Sequence, residues 1–386
     1  MPDKTFLSWP FFSENHRELA KSLETWAREN IPSYQKEDEY EACKQIVLSL
    51  GETGWLKYVV PENFGGINEK LDVRSLCIIR ETLARYSSLA DFVFAMQGLG
   101  SGAISLFGSG ELKEKYLLKV AAGSAIAAFA LSEKDAGSDL NSIQTTIEKE
   151  GSDYILNGSK TWISNAGIAD FYVVFGQNPG EDRNNGLTAI VVDANTSGLE
   201  CSEKIEIISP HPLGTIIFKN CRVPESQLVG LPGQGLKIAL STLDVFRSTV
   251  GAAALGFARK ALDEAVARCK KRQISGQLLS EYQMIQQKIA EMAVQIDASA
   301  LLVYRAAWSK DNGAERIPRE GAMAKLYATE SAQQVIDSAV QIFGGLGVVS
   351  GMPVEELYRD IRPLRIYEGT SEIQKLIIAK ETLKEL

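Results

Sequence analysis

The sequence predicts an α+β chain in three blocks: helical over residues 1–124, a small β-domain over 125–232, and helical again over 233–386. Three observations predict it. Near the start, in HRELAKSLETWAREN, Leu19, Leu23 and Trp26 recur at helical spacing. In the middle, short runs rich in Val, Ile, Phe and Tyr lie between Gly, Asn and Pro breaks. The last block returns to long alanine-rich stretches suited to a closely packed bundle. At 386 residues the chain is too long for one ordinary core, so several domains are expected.

In order, EACKQIVLSLGETG is a helix closed by a glycine, VPENFGG a turn-rich break, and VRSLCIIRETLARYSSL and GELKEKYLLKVAAG further helices. AIAAFALSE is a short apolar strand. DYILNGSKTWIS reads as a hairpin turning at Asn157-Gly158, and DFYVVFG, GLTAIVVDA and GTIIFKNCRVP as further strands. Three long helices follow, beginning near GLKIALSTL, SEYQMIQQK and EGAMAKLYA. GLGSG at 98–102 and GLPGQG at 230–235 lack the strand and helix of a dinucleotide-binding GxGxxG unit, so both read as ordinary loops.

Composition narrows the function. A net charge of -8 leaves no basic field for nucleic acid or an anionic membrane. No apolar run approaches the roughly 20 residues of a membrane span. The opening MPDKTFLSWPFFSENHREL interrupts any signal-peptide core with Pro, Asp, Glu and His, so a cytoplasmic protein is expected. The five cysteines, Cys43, Cys77, Cys201, Cys221 and Cys269, form no CxxC, which argues against disulfide frameworks, zinc sites and dithiol chemistry. With only His16 and His211 available, acid–base work is expected to fall on carboxylates, and no metal site is expected.

One carboxylate stands out in RIYEGTSEIQKL, where Glu368 lies between Tyr367 and Gly369 just before a helix. Ser371 and Gln374 read as a capping box for that helix, and Ile373, Leu376, Ile377 and Leu383 as its apolar stripe. A carboxylate there is either a partner of the helix dipole or a buried base. Removing a proton next to a thioester needs a base whose pKa has been lifted toward the working pH by loss of water, whereas the dipole pulls the other way.

Four segments, LSEKDAGSDL (131–140), NGSKTWISNAGIADFYVV (157–174), QIFGGLGV (341–348) and IYEGTSEIQ (366–374), resemble the acyl-CoA dehydrogenase family in this order and layout. The resemblance covers nearly the whole chain. It implies an N-terminal helical domain, a middle β-domain, a C-terminal four-helix domain, FAD as cofactor and a homotetramer. By residue type alone, Ser132, Gly137 and Ser138 form either a plain strand-end turn or a place where backbone meets a planar cofactor. The resemblance assigns them to flavin, with Ser138 also near the thioester. Trp162, by itself core or shelf, is placed beside the flavin ring, with Ser164 as a hydroxyl donor where the family more often has Thr. Further flavin contacts are implied at Phe129, Leu131, Thr370 and Glu372.

Arg272 is a planar cation suited to a diphosphate, or simply a solvated helix end beside Lys270 and Lys271. The resemblance gives it to the FAD pyrophosphate across a subunit interface, although Ser275 stands where the family usually has Phe. Gln283, Gln341, Gly344 and Gly345 match other FAD contacts; the two glycines also suit a helix C-cap. Asp244 and Arg247, an i,i+3 pair, are either a surface ion pair or part of the acyl cleft. The resemblance favours the cleft and adds Tyr367 and Gly369 as substrate contacts. Some members carry the base near residue 245, which here is Val245.

The implied reaction is α,β-dehydrogenation of an acyl-CoA. Glu368 removes the α-proton and the β-hydride passes to flavin N5. The Glu368 N–H and a ribityl hydroxyl hold the carbonyl, and an electron-transfer flavoprotein is the implied acceptor. One segment departs from the family: EIISPHPLGTIIF carries His211 and two prolines where typical members have Gly, Arg and Ser. His211 reads as part of a rigid loop or as a titrating participant. The departure leaves a cyclic, branched or carrier-protein-bound acyl group open beside a straight-chain one, and an oxidase beside a dehydrogenase.

Overall fold

The computed structural model describes residues 4–31, 38–179 and 186–384. The helices are α1 Glu14–Asn30, α2 Glu39–Glu52, α3 Val73–Tyr86, α4 Ser88–Phe107, α5 Gly110–Ala121, α6 Gly235–Cys269, α7 Gln283–Asp311, α8 Pro318–Phe343, α9 Pro353–Leu364 and α10 Ser371–Lys384. The main strands, β1 to β7, fall between α5 and α6: Ala127–Ala130, Thr146–Glu150, Asp153–Ser164, Phe171–Gln177, Leu187–Asp193, Leu199–Lys204 and Leu213–Pro224. A small ribbon, β8 Gln273–Ile274 with β9 Gln277–Leu278, follows α6. The expected succession of helical, β and helical domains is the observed one.

Local chemistry fixes the helix starts. Asp38 caps α2 by accepting the Tyr40 and Glu41 amides at 2.8 and 3.3 Å, and Ser109 caps α5 through the Leu112 amide at 3.2 Å. His16 is a cap residue too, its Nδ1 accepting the Ser13 N–H at 3.0 Å.

The chain divides into two compact units: residues 1–32, 73–91 and 244–386 in the first, 33–72 and 92–243 in the second. In the first, α1 packs on α3, α3 on α7, α7 on α8, and α8 on α9 and α10. Leu23, Ile79, Leu83, Val303, Tyr304, Val335 and Ile336 are wholly buried there. Each large apolar side chain of this kind contributes about 1.5–3 kcal/mol of burial. Small residues bring helices close: a Cβ on Gly256 of α6 would lie 2.3 Å from the Glu81 carbonyl oxygen of α3.

In the second unit β4 pairs with β1 in parallel and with β5 antiparallel, while β3 pairs antiparallel with β2 and β7, and β7 with β6. Thr146 opposite Gln177 joins the two halves of the sheet. Here the expected hairpin is corrected. Asn157-Gly158 is not a turn; β3 runs straight through it, and the chain turns at 151–152, between the paired Glu150 and Asp153. Gly158 instead occupies a register shift of β3 against β7 at φ 138, and the Asn157 side chain accepts the Asn220 amide at 2.7 Å. The bulge takes the glycine because a Cβ there would lie 2.7 Å from Thr145.

GLGSG also differs from expectation: it lies inside α4, where a Cβ on Gly100 would meet Ala127 at 2.7 Å. Two helices, α4 and α6, are long and apolar enough by length and composition to cross a membrane, contrary to the sequence expectation. Their apolar windows are 78% and 83% buried, as core helices are.

Candidate active site

Between α9 and α10 the chain makes a tight turn over 365–370. The Ile366 and Tyr367 amides both donate to the Pro363 carbonyl, at 2.8 and 3.1 Å, and the backbone then enters the left-handed region at Glu368, φ 53, and Gly369, φ 92. Positive φ at a glutamate costs energy and persists only where the surroundings enforce it. The expected capping box does not form. Thr370 precedes α10, its Oγ1 accepting the Ile373 amide at 3.4 Å, while Ser371 Oγ donates to Glu330 at 2.5 Å. Gln374 donates its amide N–H to the carbonyls of Glu368 and Gly369, at 3.3 and 2.9 Å. The expected apolar stripe is not covered by the chain either: Leu376 and Leu383 are 66% and 71% exposed.

Glu368 is half-buried as a residue, but its Oε2 is sealed from solvent without a hydrogen-bond partner. Such an atom costs about 1–3 kcal/mol of desolvation. Burial pushes the Glu368 pKa up; Arg80, Lys325 and Arg247 pull it down, Asp91 adds to the rise, and the net direction is upward. At this turn desolvation outweighs the attractive charges.

The three cations come from separate helices. Arg80 on α3 makes a two-armed buried pair with Asp91 at 2.8 Å on each arm and donates to Thr249 Oγ1 of α6 at 3.0 Å. It also hydrogen-bonds the Tyr367 side chain. Asp244 and Arg247 are 3% and 7% exposed, not a surface pair. Asp244 Oδ2 accepts the Ile317 amide at 3.2 Å and faces Lys310 at 3.6 Å, while its Oδ1 and the Arg247 Nε are buried without a hydrogen-bond partner. Burial pushes Arg247 below the usual arginine range. Thus Glu368, Tyr367, Gly369, Thr370, Asp244 and Arg247 gather in one unit.

In the β unit, Phe129, Leu131, Ser132, Gly137, Ser138, Trp162 and Ser164 lie along β1, the loop after it, and β3. Lys160, buried, donates to the Leu131 carbonyl at 3.0 Å and to Glu133 at 2.8 Å, which ties β3 to that loop. Trp162 is 54% exposed at φ 63, beside a second register shift of β3 against β7. The bulge turns the indole outward rather than into the core. Gly137 and Ser138 are exposed, and a Cβ on Gly137 would meet nothing within 4 Å.

The remaining predicted residues sit at helix ends of the first unit. Arg272 is exposed at the start of the β8–β9 ribbon, whose turn has Ser275 and Gly276 at φ 50 and 82. Gln283 opens α7; Gln341 closes α8 before Gly344 and Gly345, and both glycines have open space where a Cβ would stand. Arg268 over the Phe343 ring, 5.6 Å from its centre, brings the ends of α6 and α8 together. Glu372 is exposed and bonded to the Thr370 side chain. His211 lies against Phe92, ring centres 4.2 Å apart, with Nδ1 2.9 Å from the Ser209 carbonyl oxygen, and burial pushes its pKa down to about 4.

Sequence reasoning missed Arg80, Asp91 and Lys325. The signal was present for two of them. Arg80 falls four residues after Leu76 and three before Leu83, and Lys325 three before Ala328 and seven before Ala332, so each charge lies on its helix's buried face.

In the β unit an exposed indole, serine hydroxyls and open backbone at Gly137 fit a flat ring system; in the first unit the exposed Arg272 and the open backbone of Gly344 and Gly345 fit a diphosphate. A dry carboxylate whose pKa has been lifted fits proton removal from carbon. These features suit a flavin-dependent carbon–carbon oxidoreductase. Comparison with known proteins makes this specific. The acyl-CoA dehydrogenase N-terminal, middle and C-terminal domains match residues 13–124, 128–221 and 233–383. The chain is 36% identical over 375 residues to a probable acyl-CoA dehydrogenase, fadE25, of Mycobacterium leprae, covering 96% of both. It is 37% identical over 380 residues to a 3-(aryl)acrylate reductase of Clostridium sporogenes, covering 97% of this chain and all of that one.

Solved structures agree at a TM-score of 0.90. They include butyryl-CoA dehydrogenase of Megasphaera elsdenii, 32% identical, covering 96% of this chain and 99% of that one. A Bacillus anthracis acyl-CoA dehydrogenase complexed with FAD is 31% identical, covering 100% and 71%. A chain from the structure of the electron transferring flavoprotein of Acidaminococcus fermentans is 32% identical, covering 97% and 99%. The chain belongs to the acyl-CoA dehydrogenase family; it is an oxidoreductase whose cofactor is FAD.

Proposed function

We propose that the protein catalyses α,β-dehydrogenation of an acyl-CoA thioester, with Glu368 as the base and an electron-transfer flavoprotein as electron acceptor. The observation that carries the assignment of Glu368 is its buried, unpartnered Oε2 on a strained turn faced by three cations. FAD, when bound, supplies the hydride acceptor. Phe129, Leu131, Ser132, Gly137, Ser138, Trp162, Ser164, Thr370 and Glu372 would hold its flavin end. Arg272, Gln283, Gln341, Gly344 and Gly345 would hold its diphosphate and adenosine, in a homotetramer that brings these surfaces from neighbouring subunits.

The chain's own chemistry follows. Glu368 removes the α-proton. Its backbone N–H donates to the thioester carbonyl as negative charge grows there. Arg247 and Asp244, each with a buried unpartnered atom, line the cleft with Tyr367 and Gly369. Substrate entry excludes water, which raises the proton affinity of Glu368 further and matches base to carbon acid. The acceptor is supported by the likeness to a chain from work on an electron transferring flavoprotein.

The test is anaerobic mixing of the yellow holoenzyme with a panel of straight, branched, cyclic and aryl acyl-CoA thioesters. Bleaching of the flavin band by at least one member is expected, and restoration by electron-transfer flavoprotein rather than by oxygen. No bleaching by any member sinks the reading. A second reading, reduction of an arylacrylyl group in the reverse direction, is favoured by the similarity to the 3-(aryl)acrylate reductase. Reoxidation of the reduced enzyme by cinnamoyl-CoA would select it.

A further inference from the structure

Lys325 grips the chain on both sides of Glu368. It stands on α8, 1% exposed, and its ammonium donates to the Tyr367 carbonyl at 2.5 Å and to the Gly369 carbonyl. Fully buried lysines are rare, and here two of three donors are spent on the carbonyls flanking one carboxylate. Gln374 adds its amide to the Glu368 and Gly369 carbonyls. Glu330, also on α8, holds Arg365 at 2.7 Å and Ser371 at 2.5 Å, one on each side of the same turn. One helix therefore fixes the turn at four points, and the left-handed backbone of Glu368 lies at its centre.

We infer that Lys325 is a positioning residue for the dehydrogenation: it locks the Glu368 backbone in the conformation that aims the carboxylate, and places a positive charge beside it. Burial pushes the Lys325 pKa down to about 8, and the charge is lost as pH passes that value. The inference rests on the reading of Glu368 as base. The charged groups facing Glu368 are Arg80 from α3, Asp91 from α4, Arg247 from α6 and Lys325 from α8; Lys325 in turn faces Arg247 and Glu330. Its ammonium favours the carboxylate form. Removing it leaves Arg80 and Arg247, so the proton comes off Glu368 less readily. The rising limb of kcat against pH then moves upward by about one unit. The unlocked turn lowers the plateau on the order of 100-fold, with KM nearly unchanged.

The experiment compares wild-type, Lys325→Met, Lys325→Gln, Lys325→Arg and Glu368→Gln holoenzymes at matched FAD content. The substrate is whichever member of the straight, branched, cyclic and aryl acyl-CoA panel the wild type oxidises fastest. Lys325→Met is expected to show both the limb shift and the loss of kcat. Lys325→Gln, which keeps a donor and loses the charge, shows the limb shift with a smaller loss, and decides the matter if the methionine variant does not fold. Lys325→Arg restores the limb. Neutral variants with wild-type kcat and limb position, even at a lower melting temperature, overturn the proposal and leave Glu368 in place. A Glu368→Gln enzyme at the wild-type rate, or a wild type inert toward the whole panel, overturns the reading of the base itself.

Discussion

Glu368 and Trp162 share an uncommon backbone conformation, φ 53 and φ 63, yet their surroundings are opposite. Around Glu368 the turn is held from several sides: Lys325, Gln374 and Glu330 pin it, and Arg80, Asp91 and Thr249 tie three helices beside it. Around Trp162 the strand is bulged, the indole stands in the open, and the neighbouring loop has bare space at Gly137. The difference matches the roles proposed for them. A base has to be aimed and dried before substrate arrives, because its pKa and its angle both enter the rate. A surface that receives a large flat cofactor has to leave apolar area uncovered.

The largest way to break this comparison is at the base. Glu368→Gln is expected to slow flavin bleaching by about 10³–10⁴-fold while FAD stays bound, read by stopped-flow absorbance. The same variant tests the sign of the burial effect. A carboxyl whose folded pKa is raised contributes stability below its unfolded pKa and loses it as pH rises through the folded value. Glu368→Gln should therefore unfold at a higher temperature than wild type at pH 8, with the gap closing as pH falls toward 4. An equal gap at both pH values would refute the assignment.

Next in size is the pair behind the turn. Asp91→Ala leaves the Arg80 charge buried and uncompensated, and is expected to cost about 3–5 kcal/mol in denaturant unfolding. Replacing both by apolar residues should recover most of that loss. Gly369→Ala is expected to cost about 1–3 kcal/mol and to lower kcat, since a Cβ at φ 92 would also lie 2.6 Å from the Gln374 amide nitrogen.

The smallest effect is on the open surface. Trp162→Ala should leave apoprotein stability within about 0.5 kcal/mol of wild type. It should weaken FAD retention roughly tenfold or less, measured by equilibrium dialysis, as the loss of one stacking face implies. A large stability loss would mean that the indole is structural and would blur the contrast drawn above.

Much of this was legible in the sequence. The block order followed from periodicity, because burial on one face repeats every 3.6 or 2 residues whatever the partners are. Glu368 stood out because Gly369 and a helix start flank it. The failures have physical reasons too. Asn157-Gly158 carries the strongest short-range turn signal, but a glycine at positive φ serves a bulge as well as a turn, and pairing with β7 selected the bulge. Ser371 and Gln374 have capping spacing, yet Glu330 and the carbonyls of Glu368 and Gly369 offer them stronger partners. GLGSG reads as loop by composition, while α4 uses Gly100 to approach β1 closely.

The sequence by itself determined the succession of helical and β segments, the shortage of histidine and of paired cysteine, and a glutamate set between Tyr367 and Gly369 just before a helix. Only the tertiary structure decided that the Glu368 Oε2 is sealed from solvent and which charges face it. Arg80, Asp91, Arg247 and Lys325 come from four helices scattered along the chain. Desolvation and Coulomb attraction depend on distance through space, and no local pattern of residues encodes that.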